Sequence, residues 1–345
     1  MQFLSKDIGI DLGTSNVLLY VDGKGVTIRE PTVVAMDRNS GKLLQVGAAA
    51  RNMLGRTPGS IVAMSPLQDG IISDMEMTIK LLKELFKVTS QRGFFNPKPR
   101  VVISVPSGVT EVEERTVINA ALEAGARRVY LIEAPLAAAL GAGLDFKGPK
   151  GHMIVDVGGG TTDIATLTMN DVAVSSSLKL GGDTFDSVIA RYVRREYGII
   201  IGKATAEDVK IQIGCVDVRP EDTSMTVKGR EVKTGVPREI PLTSSEVFEA
   251  LKGPARAIGD EVLSVLENSS PEIVGDIAKN GITLTGGGSQ IWGLDRLLTR
   301  RTGIPCTVAD DPGSCVAYGC GKSLSWISHM TEGTINIARK RAMHQ

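Results

Sequence analysis

Two glycine-rich turns, each preceded by an aspartate, hold the residues of this sequence that are best suited to chemistry. The first turn follows Asp11 and the second follows Asp156. Glycine lets the backbone turn tightly and point its N–H groups toward an anion, and short polar side chains add further donors. The turns therefore predict phosphate binding. Their members are Gly13, Thr14, Ser15 and Asn16 in the first turn, and Gly158, Gly159, Gly160 and Thr161 in the second.

The second turn is the stronger signal, because three successive glycines give up conformational entropy that a plain hairpin has no reason to lose. An ordinary glycine-rich hairpin is the alternative interpretation of either turn taken alone. Two such turns in facing positions would surround the phosphate tail of a nucleotide. Asp11 and Asp156 would then lie where Mg²⁺ on the phosphates is held through water, as this ion prefers.

A third glycine-rich segment follows the predicted strand 282–285. We expect a helix to begin at Ser289, with its N-terminus facing a ribose or a phosphate. Glu207 and Lys210 lie one helical turn apart and could reach a nucleoside, whereas an exposed ion pair between them is the alternative. The residues of the third segment are Gly286, Gly287, Gly288 and Ser289.

Short β-branched and apolar runs on either side of both turns predict the strands that position them. Asp11 and Asp156 lie at matching places, each near the end of the first strand of its pair. The pattern therefore predicts an internal duplication of a strand–turn–strand unit. The predicted strands are residues 7–12 and 17–21 around the first turn, and 153–157 and 163–168 around the second.

Helices are predicted where capping signals meet helical periodicity. Thr110 and Glu113 form a capping box, Gly125 ends that helix, and Val117, Ile118, Ala121 and Leu122 are expected to share its buried face. The predicted elements alternate as in an α/β fold. The others are a buried strand at 101–105, a long helix at 244–266 after a second capping box, and a last helix from about 311 to 324.

Composition narrows the classes of function. The chain has 345 residues, which suggests roughly two domains. Lys plus Arg and Asp plus Glu both number 39, so there is no basic field and nucleic acid is not an expected partner. The four cysteines form no CxxC pair, which disfavours a metal site or a disulfide framework. We find neither a signal peptide nor an apolar run of membrane-spanning length and expect a cytoplasmic protein.

Long segments of the chain resemble the MreB family of bacterial actins, including its Mbl-like paralogues, within the superfamily of actin, sugar kinases and DnaK-type chaperones. The ordered matches run from about residue 7 to 324, which makes the resemblance specific. It implies an actin-like ATPase fold of the α/β class. The segments that carry it are DIGIDLGTSNVLLY, GRTPGSIVAMSPLQDGIISD, VPSGVTEVEERTV, VDVGGGTTDIA, LGGDTFD, GKATAEDVKIQIG and LTGGGSQIWGLDRLL.

The resemblance implies two duplicated α/β domains around a nucleotide cleft, each with a smaller inserted subdomain. The expected boundaries are residues 1–146 with 312–335 for the first domain, with an insertion at about 32–66; 147–311 for the second, with an insertion at about 183–242; and 336–345 for a flexible tail.

The function implied by the resemblance is that of a cytoskeletal protein that binds ATP or ADP with Mg²⁺ and polymerises into paired filaments. Such filaments lie at the inner face of the membrane and organise cell-wall synthesis to set rod shape, with RodZ-like and MreC/MreD-like membrane proteins as partners. On the family pattern the two turns hold the phosphates, and Asp11 and Asp156 look like the Mg²⁺-side carboxylates. The remaining expected contacts to the nucleotide are Gly182, Glu207, Lys210 and residues 286–289.

One departure from the family pattern concerns hydrolysis. The family usually has Glu-Glu-Pro where this chain has Glu133, Ala134 and Pro135. The glutamate before proline would orient the attacking water, and Ala134 has no polar atom. Thr161, the other water-positioning group, is retained. Glu133 is a poor substitute, because adjacent helical residues point about 100° apart. Loss of a carboxylate that acts as a base costs about 10²- to 10⁴-fold in rate, so we expect slow hydrolysis.

Phe94 and Phe95 lie in a Gly/Pro-containing segment flanked by cations, which suggests contact with an anionic membrane surface. Packing of the two rings on the local core is the alternative. Other functions within the superfamily are a sugar or acetate kinase, for which no acceptor motif is found, and a DnaK-like chaperone, for which no peptide-binding domain follows. An FtsA-like division protein fits the segment at 31–66 less well.

Overall fold

The structure is a computed structural model that describes residues 7–89 and 98–327. Phe94, Phe95 and the predicted tail lie outside these residues. The strands, in chain order, are β1 (Ile8–Leu12), β2 (Asn16–Val21), β3 (Gly25–Pro31), β4 (Val34–Asp37), β5 (Leu43–Val46), β6 (Ile61–Met64), β7 (Leu67–Gln68), β8 (Ile71–Ile72), β9 (Arg100–Val105), β10 (Arg128–Glu133), β11 (His152–Val157), β12 (Thr162–Thr168), β13 (Asp171–Leu178), β14 (Ile199–Ile200), β15 (Ser224–Glu231), β16 (Pro237–Thr243), β17 (Ile282–Thr285) and β18 (Cys306–Val308).

Helices connect and cover these strands. Short 3₁₀ turns at Gly287–Gln290 and Pro312–Ser314 precede the last two helices. The helices are α1 (Gly47–Arg51), α2 (Met75–Thr89), α3 (Glu111–Ala124), α4 (Ala134–Gly141), α5 (Gly182–Tyr197), α6 (Lys203–Ile213), α7 (Ser244–Glu267), α8 (Pro271–Asn280), α9 (Leu294–Thr302) and α10 (Cys315–Ile327).

Two five-stranded sheets repeat the same arrangement. The first has the order β10-β9-β1-β2-β3, and the second, read in the same direction, has the order β18-β17-β11-β12-β13. In each sheet the central strand pairs antiparallel with its hairpin partner and parallel with a later strand. Asp11 lies opposite Leu18 and Asp156 lies opposite Asp163 in the two hairpin registers. The predicted duplication is therefore confirmed, and it extends over the whole sheet.

Two small three-stranded sheets lie within the predicted insertions. The first sheet has the order β5-β4-β6, and α1 packs on it. The second sheet has the order β14-β15-β16; β14 follows α5 in the chain, and β15 and β16 follow α6. Each insertion begins after the third strand of the unit that carries a glycine-rich turn, which is β3 in the first half and β13 in the second. The exact limits of the two domains stay a prediction.

A shared apolar cluster joins the two halves. Leu136 of α4 and Cys320 of α10 are buried together with Ile132 of the first sheet and Ile154 of the second. Separate clusters lie on the other face of each sheet, centred on α2 and α3 in the first half and on α5 and α7 in the second. Burial of close-packed apolar side chains against both sheets makes α4 and α10 a common base for the two halves.

Both capping boxes form as predicted, at Thr110 with Glu113 and at Thr243 with Glu246. The buried face of α3 was predicted with one error. Leu122 is 39% exposed, whereas Ala120 and Ala124 are buried. The face that packs follows the spacing of three and four residues through Val117, and Leu122 falls outside it.

Candidate functional site

A cavity of about 700 Å³ lies among the turns of the two five-stranded sheets. It gathers most of the residues that sequence reasoning selected. Ser289 and Glu133 are exceptions, because neither lines the cavity. The selected residues that line it are Asp11, Gly13, Thr14, Ser15, Asn16, Ala134, Asp156, Gly158, Gly159, Gly160, Thr161, Gly182, Glu207, Lys210, Gly286, Gly287 and Gly288.

The two glycine-rich turns touch each other across the cavity floor. A Cβ atom on Gly159 would lie 2.1 Å from Ser15 Oγ, and one on Gly160 would lie 2.4 Å from Thr14 Oγ1. Real atoms do not approach so closely, so these positions require glycine because the opposite turn occupies the space. Ser15 also donates to Asp183 Oδ1 at 3.2 Å, which ties the first turn to α5 of the second half.

The N-terminus of α5 packs directly on the second turn. The N–H of Gly182 donates to Gly158 O at 3.0 Å, and that of Asp183 donates to Gly159 O at 2.8 Å. These N–H groups are ones that a helix start cannot satisfy internally. These two hydrogen bonds hold the second turn in place through the carbonyl groups of Gly158 and Gly159.

The third glycine-rich segment differs from its prediction. A 3₁₀ turn occupies Gly287–Gln290, and α9 begins only at Leu294 after Gly293, whose φ of 86° breaks the helical path. Ser289 is buried and donates to Gly286 O at 2.7 Å, so it shapes the turn from inside. Gly286 has φ of 79° and lies against Val157, which brings the segment beside the second turn.

Asp11 and Asp156 face the cavity in a strongly desolvated setting. Burial raises the pKa of Asp11 to about 6, and a hydrogen bond from Ser104 offsets part of the rise. Burial raises the pKa of Asp156 to about 8, Thr285 offsets part of it, and the charges of Asp163 and Asp11 add to it. Thr285 Oγ1 donates to Asp156 Oδ1 at 2.7 Å. The two carboxyl groups therefore lie in the same buried part of the cavity wall, where a charge on Asp11 disfavours a charge on Asp156.

These carboxylates fit a Mg²⁺ ion held in part by other oxygens. Within residues 7–89 and 98–327, no group of three or more His, Cys, Asp or Glu side chains is placed to hold a metal. Asp11 and Asp156 supply hard oxygen donors, and their pKa values are raised because burial disfavours the negative charge of the ionised carboxylates. A bound cation would neutralise that charge and the charge of adjacent phosphate oxygens.

Asp163 positions Thr161, a role that sequence reasoning missed. Thr161 Oγ1 donates to Asp163 Oδ2 at 2.9 Å, and the N–H of Ser107 donates to Asp163 Oδ1 at 2.9 Å. Burial raises the pKa of Asp163 to about 6, and these hydrogen bonds oppose the rise. A signal was present, since Asp163 is the second aspartate of the segment that begins at Asp156.

Ala134 and Glu133 lie at the junction of β10 and α4. Glu133 ends the strand and caps the helix, and Ala134 is the first helical residue. The sequence argument that compared them as neighbouring helical residues therefore needs correction. Ser107 Oγ donates to Glu133 Oε2 at 3.3 Å, and Ala134 lines the cavity whereas Glu133 does not.

Glu207 and Lys210 do not pair with each other. Lys210 Nζ lies 2.9 Å from Asp186 Oδ1 and donates to Gly182 O at 3.1 Å. Burial raises the pKa of Asp186 to about 6, and the Lys210 ammonium offsets part of the rise. Glu207 accepts instead from Arg51 of α1. Sequence reasoning missed Arg51 and Asp186, because nothing in the linear pattern relates them to the cavity.

An aromatic residue that the sequence analysis did not select also lines the cavity. The Arg219 and Arg296 guanidinium carbons lie 5.3 Å and 4.9 Å from the centroid of the Trp292 ring. Such cation–π contacts hold an aromatic ring in place. Arg219 and Trp292 both line the cavity, as do Ile211 and Gln290.

Within the described part of the chain, no helix combines the length and the apolar character needed to cross a bilayer.

Comparisons with known proteins agree with this geometry. The profile of the family described as MreB/Mbl protein matches residues 5–332. The cell shape-determining protein Mbl of Bacillus subtilis (strain 168) is 48% identical over 93% of this chain and 96% of its own length. The cell shape-determining protein MreB of Escherichia coli (strain K12) is 47% identical over 94% of each chain.

Solved structures show the same fold. Spiroplasma citri MreB5 bound to AMPPNP has a TM-score of 0.89 at 40% identity, over 94% of this chain and 97% of its own. The same protein bound to ADP has a TM-score of 0.87. A MamK chain from a double helical filament, at 22% identity and a TM-score of 0.77, supports the actin-like fold alone, over 95% of this chain and all of its own. This chain belongs to the MreB/Mbl family of actin-like proteins.

Proposed function

We propose that the chain binds ATP with Mg²⁺ in the cavity and that the bound nucleotide controls its assembly into filaments. The observation that carries this proposal is the direct packing of Gly159 and Gly160 on Ser15 and Thr14. Two turns rich in backbone N–H groups meet there, beside two carboxylates suited to a hard cation. The 40% identical relative solved with ADP and with AMPPNP supports an adenine nucleotide as the ligand.

Each part of the cavity has a proposed role. The first and second turns hold the phosphates by backbone N–H groups and by the Thr14, Ser15 and Thr161 hydroxyls. Asp11 and Asp156 hold Mg²⁺, through water, on the phosphate side. The nucleoside lies at the other end, where Gly182, Glu207, Lys210 and residues 286–288 line the wall.

Slow hydrolysis is part of the proposal. Thr161 is fixed by Asp163 and can hold a water molecule near the phosphates, whereas Ala134 offers that water no acceptor. Glu133 lies at the end of β10 and accepts from Ser107, so it does not replace the missing carboxylate. Binding without a well-placed base favours long-lived occupation of the cavity by ATP.

In the cell, we propose paired filaments on the inner face of the membrane that organise wall synthesis and set rod shape. Membership of the family whose members include cell shape-determining proteins supports this role. The membrane contact is assigned to Phe94 and Phe95, and the expected partners are RodZ-like and MreC/MreD-like membrane proteins. These assignments extend beyond the described residues and rest on the family.

Sedimentation tests the proposal most directly. The purified chain is incubated with Mg²⁺ and ATP, with Mg²⁺ and ADP, or without nucleotide, and the pelleted fraction is measured. We expect ATP to increase pelleting and equilibrium binding to show one nucleotide per chain. A chain that binds no nucleotide overturns the proposal. A chain that binds ATP, never pellets, and forms ADP only when a sugar or acetate is added is a kinase.

A further inference from the structure

An ion pair links the two small insertions beside the cavity. Arg51 is the last residue of α1, which lies on the first three-stranded sheet, and its guanidinium contacts the carboxylate of Glu207 in α6. The Arg51 side chain is 41% exposed and that of Glu207 is 26% exposed. Glu207 lines the cavity, so the pair stands at its edge, where both insertions reach water.

Both partners project from well-anchored helices. The start of α1 is tied to β3, because the N–H of Ala48 donates to Glu30 Oε2 at 2.8 Å, and Ala50 is buried in the first insertion. On the other side, Ala206 and Val209 bury the opposite face of α6 in the core of the second half. The ion pair therefore joins two fixed supports, which limits the entropy lost when the side chains meet.

The other cations near Glu207 are engaged elsewhere. Lys210 contacts the buried Asp186, and Lys203 lies 3.0 Å from Asp183 Oδ2. Contacts at the cavity floor, such as the hydrogen bond of Ser15 to Asp183, hold the halves together below the cavity. Separation of the insertions at the edge can leave those floor contacts intact, but it must break the contact of Arg51 with Glu207.

We propose that Arg51 is a positioning residue that holds Glu207 and closes the edge of the cavity, so that it slows release of the bound nucleotide. This inference rests on the proposed nucleotide binding. A partly exposed ion pair contributes little free energy, and its loss corresponds to a change of roughly two- to fivefold in a rate constant. Because both side chains reach solvent, salt weakens the pair, and release becomes faster at high ionic strength.

The test is the rate at which a fluorescent ADP analogue leaves the full chain when excess ADP is added, with Mg²⁺ present and at protein concentrations too low for assembly. The variants are Arg51→Gln and Arg51→Lys. Arg56→Gln is the matched control, because Arg56 is an exposed arginine of the same insertion with no ion pair among the described residues. Thermal denaturation of each variant checks its fold.

We expect R51Q to release the analogue roughly two- to fivefold faster than the parent chain, R51K to stay close to it, and R56Q to match it. Salt should accelerate release from the parent chain more than from R51Q. Equal release from R51Q and R56Q overturns the inference while nucleotide binding stands. If R51Q does not fold, a parent release rate that is independent of salt overturns it instead. Failure of the parent chain to bind the analogue refutes the proposed function itself.

Discussion

The hydroxyl of Thr161 donates a hydrogen bond to the carboxylate of Asp163, with 2.9 Å between Oγ1 and Oδ2. This contact fixes the one polar side chain of the second turn that faces the phosphate end of the proposed site. The same carboxylate accepts from the backbone N–H of Ser107 in the first half, so it also ties the two halves together.

Replacement of Asp163 by Ala should therefore reduce ATP hydrolysis. Thr161 loses its acceptor and the buried N–H of Ser107 loses its partner, so we expect phosphate release to fall about tenfold and stability to fall by ~1–3 kcal/mol. Phosphate release at saturating ATP and thermal denaturation measure the two effects. The exposed Asp145→Asn change is the control. Unchanged release in a folded D163A variant would show that Thr161 needs no orienting partner.

Introduction of a carboxylate at Ala134 should accelerate hydrolysis. Ala134 lines the cavity at the first position of α4, so a glutamate side chain at this position would carry its carboxylate toward the water that we propose Thr161 to hold. We expect Ala134→Glu to raise the rate of phosphate release by about 10²-fold or more. Thr161→Ala in the same background should remove the gain.

Glu133→Gln supplies the matched comparison at the neighbouring position. Glu133 accepts from Ser107 and does not line the cavity, so this change should leave phosphate release within about twofold of the parent. A large loss in E133Q, with no gain in A134E, would assign the base to Glu133 and contradict the proposed cause of slow hydrolysis.

The contact between the two turns predicts a steric test. A methyl group at Gly159 would lie 2.1 Å from Ser15 Oγ and 2.6 Å from Ser15 Cβ, so Gly159→Ala must push the turns apart. We expect it to cost ~1–3 kcal/mol of stability, as overpacking does, and to weaken nucleotide binding at least tenfold. Calorimetric titration with Mg²⁺ and ATP checks the binding.

Gly275→Ala is the control for this test. Gly275 lies in α8, and a methyl group there meets no atom within 4 Å. Since Ala favours a helix over Gly by roughly 0.5–1 kcal/mol, G275A should be slightly stabilised and bind like the parent. Normal affinity in G159A would mean that the contact between the turns does not shape the phosphate site.

The pair of Asp217 and Arg300 predicts a pH dependence of stability. Hydrogen bonds from Arg300 to Asp217, at 2.6 and 3.0 Å, lower the pKa of that carboxyl below its usual 3.8. A lowered carboxyl pKa stabilises the fold above the unfolded value and loses that contribution as pH falls through the folded value. Asp217→Asn should cost ~1 kcal/mol near pH 6, because the pair is partly exposed.

Thermal denaturation across pH checks this expectation. The difference in Tm between the parent chain and D217N should be largest near pH 6. It should shrink as pH falls below about 4, where Asp217 of the unfolded chain takes up a proton before that of the folded chain does. Asp171→Asn is the control, because Asp171 is partly exposed and its carboxylate accepts from the N–H of the next residue, Val172. A difference in Tm that does not change with pH would assign the effect of D217N to packing.

Much of the fold and half of the cavity lining could be predicted from local sequence. The second turn was recognised because consecutive glycines after an aspartate have few other uses, and the first because a glycine and short polar residues follow Asp11 at the matching place. The flanking β-branched runs determine strands locally. The capping boxes at Thr110 and Thr243 act within one helical turn, so their residues are adjacent in sequence. Duplication was visible because the same local pattern occurs twice, at Asp11 and Asp156.

Tertiary structure decided the pairing of charges around the cavity. Glu207 and Lys210 have a spacing that suits an ion pair with each other, yet they contact Arg51 and Asp186. The partner of each charged side chain depends on how the insertions pack on the two sheets that α4 and α10 hold together. It also depends on which carboxylate is buried most deeply, because a buried charge is stabilised most by a nearby cation. Such contacts join residues far apart in the chain, and their free energies depend on distance and burial, which arise only when the whole core is packed.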